Sequence, residues 1–403
     1  MRHIVVSKFG NEPDIFGNSL RCGMIGDWEV RKLLLVLSKD KNNFITYYGK
    51  AKWNQEEAGK LFVNHNVQFI ESSENDSPEV ISRLAKIDEF HILLGPHAFY
   101  NGGLNIPSWE SIKTSIVTQR LLERVAPQIK LMNANTKAPC YFYLSDRRFL
   151  LQAADLLNDN IIVLAQSLRN FEYNRVQVYP DDYSRYFMYK QPARAFRFDT
   201  LWLLDKDKNE FEENTHKDFG MCKINLVVPA NQVTSDAEIS NSRLDKLKFY
   251  LKDIVKFTVI GKWTNEEAKE FFICNSRHGQ YLDGLDIDSY NDKLKHSKYA
   301  LVTYNTADSP SVFMDNYLTP KYWECVYNGC LTFVEATFRK TDLLPEELQV
   351  VTGEELRDKI DKCNNDIEYK NKLLQLQYSL VKPEYFSGQY FLDTLNKHRS
   401  EQC

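Results

Sequence analysis

The feature that most limits what this chain can become is a repeated order of short apolar runs and longer helical stretches. Runs at His3 to Lys8, Phe44 to Tyr48, Val67 to Ile70, His91 to Leu94, Tyr141 to Leu144 and Ile161 to Leu164 each suit a buried strand. Stretches with helical spacing lie between them, at Trp28 to Leu37, Glu79 to Ala85 and Ile112 to Val125. A second series follows: strand at Ile224 to Val228, helix at Ser242 to Leu251, then strands at Phe257 to Ile260, Ala300 to Tyr304 and Leu331 to Val334. Strands that alternate with helices form a parallel sheet covered on both faces. The reading is therefore an α/β protein with two Rossmann-like domains. Ligands of such sheets sit beyond the C-terminal ends of the strands.

The halves echo one another. Phe44 to Lys50 runs into Trp53 and Glu56-Glu57-Ala58, and Phe257 to Lys262 runs into Trp263 and Glu266-Glu267-Ala268. Each is a strand, a Gly-Lys turn, a tryptophan and a helix start. Turn chemistry also recurs by chance. The expected division is residues 1–170, an irregular linker at 171–222, a second domain at 223–380, and a last helix within 381–403. A length of 403 residues accommodates two domains.

Composition narrows the classes. A net charge of −4 argues against a protein that coats nucleic acid, and leaves room for a local basic face. No run of about 18 apolar residues is present, so no membrane span is expected. The N-terminal apolar run is too short for a signal peptide. None of the eight cysteines forms C-x-x-C, which suits reduced thiols in a cytoplasm and makes a structural zinc site improbable.

The most informative stretch is Ala300 to Val334. Thr319-Pro320 is a helix start, an N-cap followed by proline at the first helical position. Asn328-Gly329 ends that helix, since either residue tolerates a left-handed cap. Lys321 and Glu324 are three apart and share a face at its front. Orphan N–H groups, the dipole and a lysine attract phosphate there, and a glutamate one turn on can accept ribose hydroxyl protons. The alternative is an ordinary surface pair.

A second stretch, Tyr141 to Phe149, carries an apolar strand straight into Ser145-Asp146-Arg147-Arg148. Asp146 at a strand's C-terminal edge can take a proton from an acceptor hydroxyl, or it caps the next helix. Glu29, with Asp27 as a rival, opens the first helix after a glycine-containing loop, where a solvated first-turn carboxylate is the competing reading. Between Arg169 and Arg197 six basic residues, Arg169 and Arg175 among them, interleave with aromatics. That mixture suits phosphate contacts and base stacking, as a flipped base needs, or packing between domains.

Basic-x-x-Glu on a short helix that ends in a small residue before a strand resembles the nucleotide-sugar motif of GT-B glycosyltransferases. The likeness is to the phage DNA β-glucosyltransferases, which carry arginine where this chain has Lys321. The resemblance implies two parallel sheets facing across a cleft, with the final helix crossing back to the N-terminal domain. It implies that Lys321 holds a diphosphate and Glu324 a ribose, that Asp146 is the general base, and that Glu29 assists at the sugar or acceptor. Gly261 allows close backbone approach, and the loop from Tyr281 to Ile287, with Leu285 and Ile287, resembles the family's uracil-reading loop. The family's glycine-rich, arginine-bearing diphosphate turn is replaced here by Pro229-Ala230-Asn231-Gln232, and Arg243 is the first basic residue beyond it.

The implied activity is inverting transfer from a UDP-sugar, glucose or a pentose such as arabinose, to 5-hydroxymethylcytosine in duplex phage DNA. Arg147, Arg148, Arg169 and Arg175 would face the DNA. No protein metal site is expected, with Mg²⁺ at most aiding product release, and the protein is expected to be monomeric. Two rivals stand: a bacterial surface-glycan glycosyltransferase, and a non-catalytic nucleotide-binding protein.

Overall fold

The computed structural model describes residues 2–8, 34–49, 62, 64–71, 90–94, 140–144, 161–165, 195–197, 206–230, 237–252, 254, 256–263, 265–274, 280–282, 285–303, 320–336, 344–387 and 389–393. The chain divides into two compact units. One comprises Met1–Asp205 with Glu384–Cys403, and the other is Lys206–Pro383. The division falls inside the segment expected to be a linker.

The first unit contains strands β1 (Arg2–Lys8), β2 (Asn43–Gly49), β3 (Val67–Glu71), β4 (Phe90–Leu94), β5 (Cys140–Leu144), β6 (Ile161–Ala165) and β7 (Ala195–Arg197). They form one sheet in the order β3-β2-β1-β4-β5-β6-β7, with every pairing parallel. Ile4, Val5, Val6, Ile45 and Tyr47 are fully buried at its centre. A parallel strand carries apolar residues on both faces, which is why these runs read as continuous rather than alternating. The order reverses between β1 and β4.

The second unit repeats the plan. Its sheet holds β8 (Ile224–Pro229), β9 (Phe257–Ile260), β10 (Gln280–Leu282), β11 (Ser297–Val302), β12 (Leu331–Glu335) and β13 (Gln349–Val350), in the order β10-β9-β8-β11-β12-β13. All pairings are again parallel. Among the described residues its α-helices are α1 (Lys208–Thr215), α2 (Ala237–Leu251), α3 (Glu266–Cys274), α4 (Ile287–Lys295), α5 (Pro320–Tyr327), α6 (Gly353–Asn365) and α7 (Ile367–Tyr378). All four residues of β9 and all five of β12 are buried. At the end of β12, the Glu335 carboxylate accepts from Lys246 of α2 at 3.0 Å, with side-chain exposures of 2% and 8%.

Several expectations need correction. The charged run at 206–218, inside the linker expected to be irregular, is ordered, because it contains α1. Asp207 caps that helix by accepting from the N–H groups of Asn209 and Glu210. Phe211 is its one buried residue, so the run shows no apolar period. A strand, β7, also lies in the expected linker. The fourth strand of the second sheet starts earlier than expected, at Ser297, and ends at Val302. The last helix is broken among the described residues: Pro383–Phe386 is a 3-10 turn, and 389–393 are helical.

The end of α5 matches its sequence signal. The N–H of Cys330 donates to the Cys325 carbonyl, and that of Gly329 to the Val326 carbonyl, each at 3.0 Å. That pattern is a Schellman cap, which needs a left-handed residue, and Gly329 sits at φ +73°. A Cβ there would stand 2.4 Å from the Asn214 carbonyl oxygen. Gly329→Ala should therefore destabilise the second unit by about 2 kcal/mol or more, since dihedral strain and overlap add. Denaturant unfolding measures the change, and a loss within experimental error would show that the cap relaxes freely.

Candidate functional site

An open sheet of this order presents its ligand crevice outside the carboxyl ends of the strands where the order reverses, here between β8 and β11. Helix α5 follows β11 and leads into β12, which is parallel to it. A crossover helix runs back against the strands, so its N-terminus lies at the carboxyl edge. The first turn of α5 is thus at the carboxyl edge of the sheet, beside the point of reversal.

Burial along α5 singles out two residues. Tyr322, Trp323, Cys325, Val326 and Tyr327 are buried, as are Asn328 and Gly329 beyond them. Lys321 and Glu324 alone from 321 to 329 are half-exposed. At a spacing of three they share the open side of an otherwise enclosed helix. This is not the pattern of an ordinary surface helix, which has a wide polar face.

The Glu324 carboxylate is held. The Tyr290 hydroxyl, on α4, donates to Glu324 Oε2 at 2.8 Å. Burial pushes the Tyr290 phenol well above its ordinary range, and the Glu324 charge adds to the shift, so the hydroxyl keeps its proton. Helix α4 is fixed in turn: Asp286 caps it, accepting from the Ser289 N–H at 2.8 Å and the Ser289 hydroxyl at 3.1 Å. Those bonds hold the Asp286 carboxyl below the usual aspartate range, the Ser289 N–H contributing most.

The far ends of α4 and α5 are fastened to one another. Lys217 Nζ donates to the carbonyls of Leu294 and Asn328, each at 3.0 Å. An ammonium at a helix C-terminus satisfies orphan carbonyls and opposes the dipole; here one lysine serves two helices. Asn214 Nδ2 donates to the Tyr327 carbonyl at 2.9 Å. The Tyr327 hydroxyl donates to Glu210 Oε2 at 2.6 Å, and Lys295 pairs with the other Glu210 oxygen.

The strand ends nearby are also tied. Trp263 Nε1 donates to the Ala230 carbonyl, just past β8, at 2.7 Å. Its backbone N–H donates to the Tyr281 hydroxyl, from β10, at 2.9 Å. Gly261 is buried immediately after β9, its N–H donating to the Leu282 carbonyl at 3.1 Å. Tyr281 to Ile287 is not one loop. Tyr281 and Leu282 belong to β10, Leu285 is half-buried between elements, and Ile287 opens α4.

Arg243 lies on α2. Asp146, Glu29, Arg147, Arg148, Arg169 and Arg175 lie outside the described residues. Among the described residues no group of three His, Cys, Asp or Glu side chains is placed to hold a metal ion. No helix among them is long and apolar enough to cross a membrane. Tyr290 and Lys217 were not singled out from the sequence. Each acts through a contact more than thirty residues away, which local spacing does not reveal.

No protein-family model and no curated protein matches the sequence. Solved structures do match over nearly the whole chain. T4 phage BGT, in complex with its substrate UDP-glucose, is 13% identical with a TM-score of 0.54, over 98% of this chain and 99% of that one. An α-glucosyltransferase in complex with UDP and a 13-mer DNA is 11% identical with a TM-score of 0.52, over 98% and 99%. Anabaena HepE in complex with UDP is 12% identical with a TM-score of 0.51, over 98% and 100%. The chain has the GT-B fold. At these identities the likeness establishes architecture, as both sheets and their strand orders do independently.

The Glu210 contacts carry a pH consequence. Hydrogen bonds from Lys295 and then Tyr327 lower its carboxyl from the ordinary glutamate value. A carboxyl lowered on folding contributes stability above its unfolded pKa and loses it as pH falls through the folded value. Glu210→Gln should cost about 1 kcal/mol or less at neutral pH, because the pair is partly solvated, and nothing at strongly acid pH. Urea unfolding at the two pH values checks the sign.

Proposed function

We propose that the protein is an inverting glycosyltransferase that moves a sugar from a UDP-sugar to the hydroxyl of 5-hydroxymethylcytosine in duplex DNA. One observation carries most weight: Lys321 and Glu324 stand together on the open side of a buried helix at the carboxyl edge of a GT-B sheet. T4 phage BGT and an α-glucosyltransferase of the same fold have been captured with UDP-glucose and with UDP and DNA, respectively, which supports both substrates.

The chemistry assigned is a single displacement. Asp146 takes the proton of the acceptor hydroxyl, and the oxygen attacks the anomeric carbon from the face opposite the diphosphate. The bond to the diphosphate breaks with inversion, and UDP leaves carrying the electron pair. Lys321 and the N–H groups opening α5 balance the charge that grows on the leaving phosphate. Glu324 accepts hydrogen bonds from the ribose hydroxyls. Gly261 lets the backbone approach the nucleotide, and Leu285, Ile287 and Arg243 flank it. Glu29 assists at the acceptor. Arg147, Arg148, Arg169 and Arg175 meet DNA phosphates, and the aromatics among them stack on an extruded base. A Mg²⁺ ion would be held by the diphosphate and water rather than by a protein cage, and would help release UDP. The lysine at 321 and the changed turn after β8 favour a donor other than glucose, a pentose such as arabinose.

The test is incubation with a panel of UDP-sugars and hydroxymethylated duplex DNA, digestion to nucleosides and mass spectrometry. A hexose or pentose adduct on hydroxymethylcytosine is expected, with Asp146→Asn lowering the rate by about 10²-fold or more. UDP-sugar hydrolysis without an adduct would favour the surface-glycan enzyme. Silence with every donor would favour a nucleotide-binding protein without catalysis.

A further inference from the structure

Tyr290 stands in direct contact with the carboxylate assigned to the donor ribose. Its hydroxyl reaches Glu324 Oε2, and no other hydrogen bond to that carboxylate is made among the described residues. The contact spans 34 positions of sequence and joins α4 to α5. A second bond on the same faces runs from Asn328 Nδ2 to Asn291 Oδ1 at 3.4 Å, one turn further along α5. The ends are clamped by Lys217 through Leu294 and Asn328. Tyr290, Asn291 and Leu294 thus form the side of α4 that registers α5.

A glutamate side chain has three rotatable bonds, and holding it costs rotamer entropy on each encounter with a ligand. A carboxylate whose one oxygen is already engaged presents the other in a fixed direction. A neutral phenol suits this task, because it donates a charge-assisted bond without neutralising the acceptor. A lysine or arginine in its place would compete with the ribose for the same charge.

We propose that Tyr290 is a positioning residue that orients Glu324 and thereby makes the site select ribonucleotide over 2′-deoxyribonucleotide donors. This rests on the ribose role given to Glu324 above. Tyr290 holds Oε2, and Oε1 is left to accept from the ribose hydroxyls. A 2′-deoxyribose loses part of that recognition, so the orientation of Glu324 matters less for it.

The test compares UDP with 2′-deoxy-UDP by titration calorimetry in four proteins: wild type, Tyr290→Phe, Glu324→Gln, and both changes together. Thermal melts establish that each variant is folded. Wild type should prefer UDP. Tyr290→Phe should weaken UDP binding by roughly threefold to tenfold, the worth of one hydrogen bond, while 2′-deoxy-UDP binding moves by less than about twofold. Glu324→Gln should erase most of the preference, and the second change should add nothing to it. If Tyr290→Phe weakens both ligands equally, the tyrosine is merely structural and the inference falls. If it leaves the preference intact while Glu324→Gln erases it, the inference falls and the ribose role stands. If Glu324→Gln has no effect on the preference, the ribose role itself is wrong. Should Tyr290→Phe fail to fold, Asn291→Ala tests the same helix contact without touching the carboxylate. A preference unchanged by Asn291→Ala is expected; one lost with it would assign selection to helix packing and overturn the role of Tyr290.

Discussion

Every strand pairing described in this protein is parallel, and that one constraint places everything else. Two parallel neighbours cannot be joined by a tight turn; the chain must cross back over a face of the sheet. The crossings cover both faces, which is why β9 and β12 are buried throughout. They also deliver the N-terminus of each crossover helix to the same edge of the sheet. The strand order reverses at β1 and β4 in one unit and at β8 and β11 in the other, the place where open α/β sheets receive their ligands. The chemistry proposed for α5 is located by topology before any side chain is considered.

Topology alone does not fix a helix to within the fraction of an ångström that ligand recognition needs. In the second unit that precision comes from polar contacts at the helix ends. Gly329 closes α5 in a left-handed cap, Asn214 and Lys217 occupy carbonyls at its end, and Tyr290 meets it near the front. Lys217 and Asn214 both belong to the short segment around α1, ahead of β8. A helix with one buried residue of its own serves mainly as a platform for these contacts.

Most strands were legible in the sequence because a strand buried on both faces is an uninterrupted apolar run with polar flanks. The end of α5 was legible for a different reason: a left-handed position admits few residues, and Asn328-Gly329 advertises one. The elements that escaped lack such signals. Strands β7, β10 and β13 have three, three and two residues, too few for any period. Helix α1 has one apolar anchor, so its Asp207 cap is its only mark. Of the candidate site, Lys321 and Glu324 were legible as a spacing, whereas their enclosure by buried neighbours was not. Spacing says which residues share a face. Only the packed structure says whether that face is the one left open. Asp146 follows β5 by two positions, and its sequence setting remains the whole basis for its assigned role.

The pair formed by Lys246 and Glu335 has a bearing on how this scaffold can change over time. Both groups are almost wholly withdrawn from solvent, so deleting either takes a partner from a charge in a medium that solvates it poorly. A lineage altering one position passes through a less stable protein until the other changes. The two sites therefore drift more readily as a couple, toward an apolar pair or a reversed one, than by single exchanges.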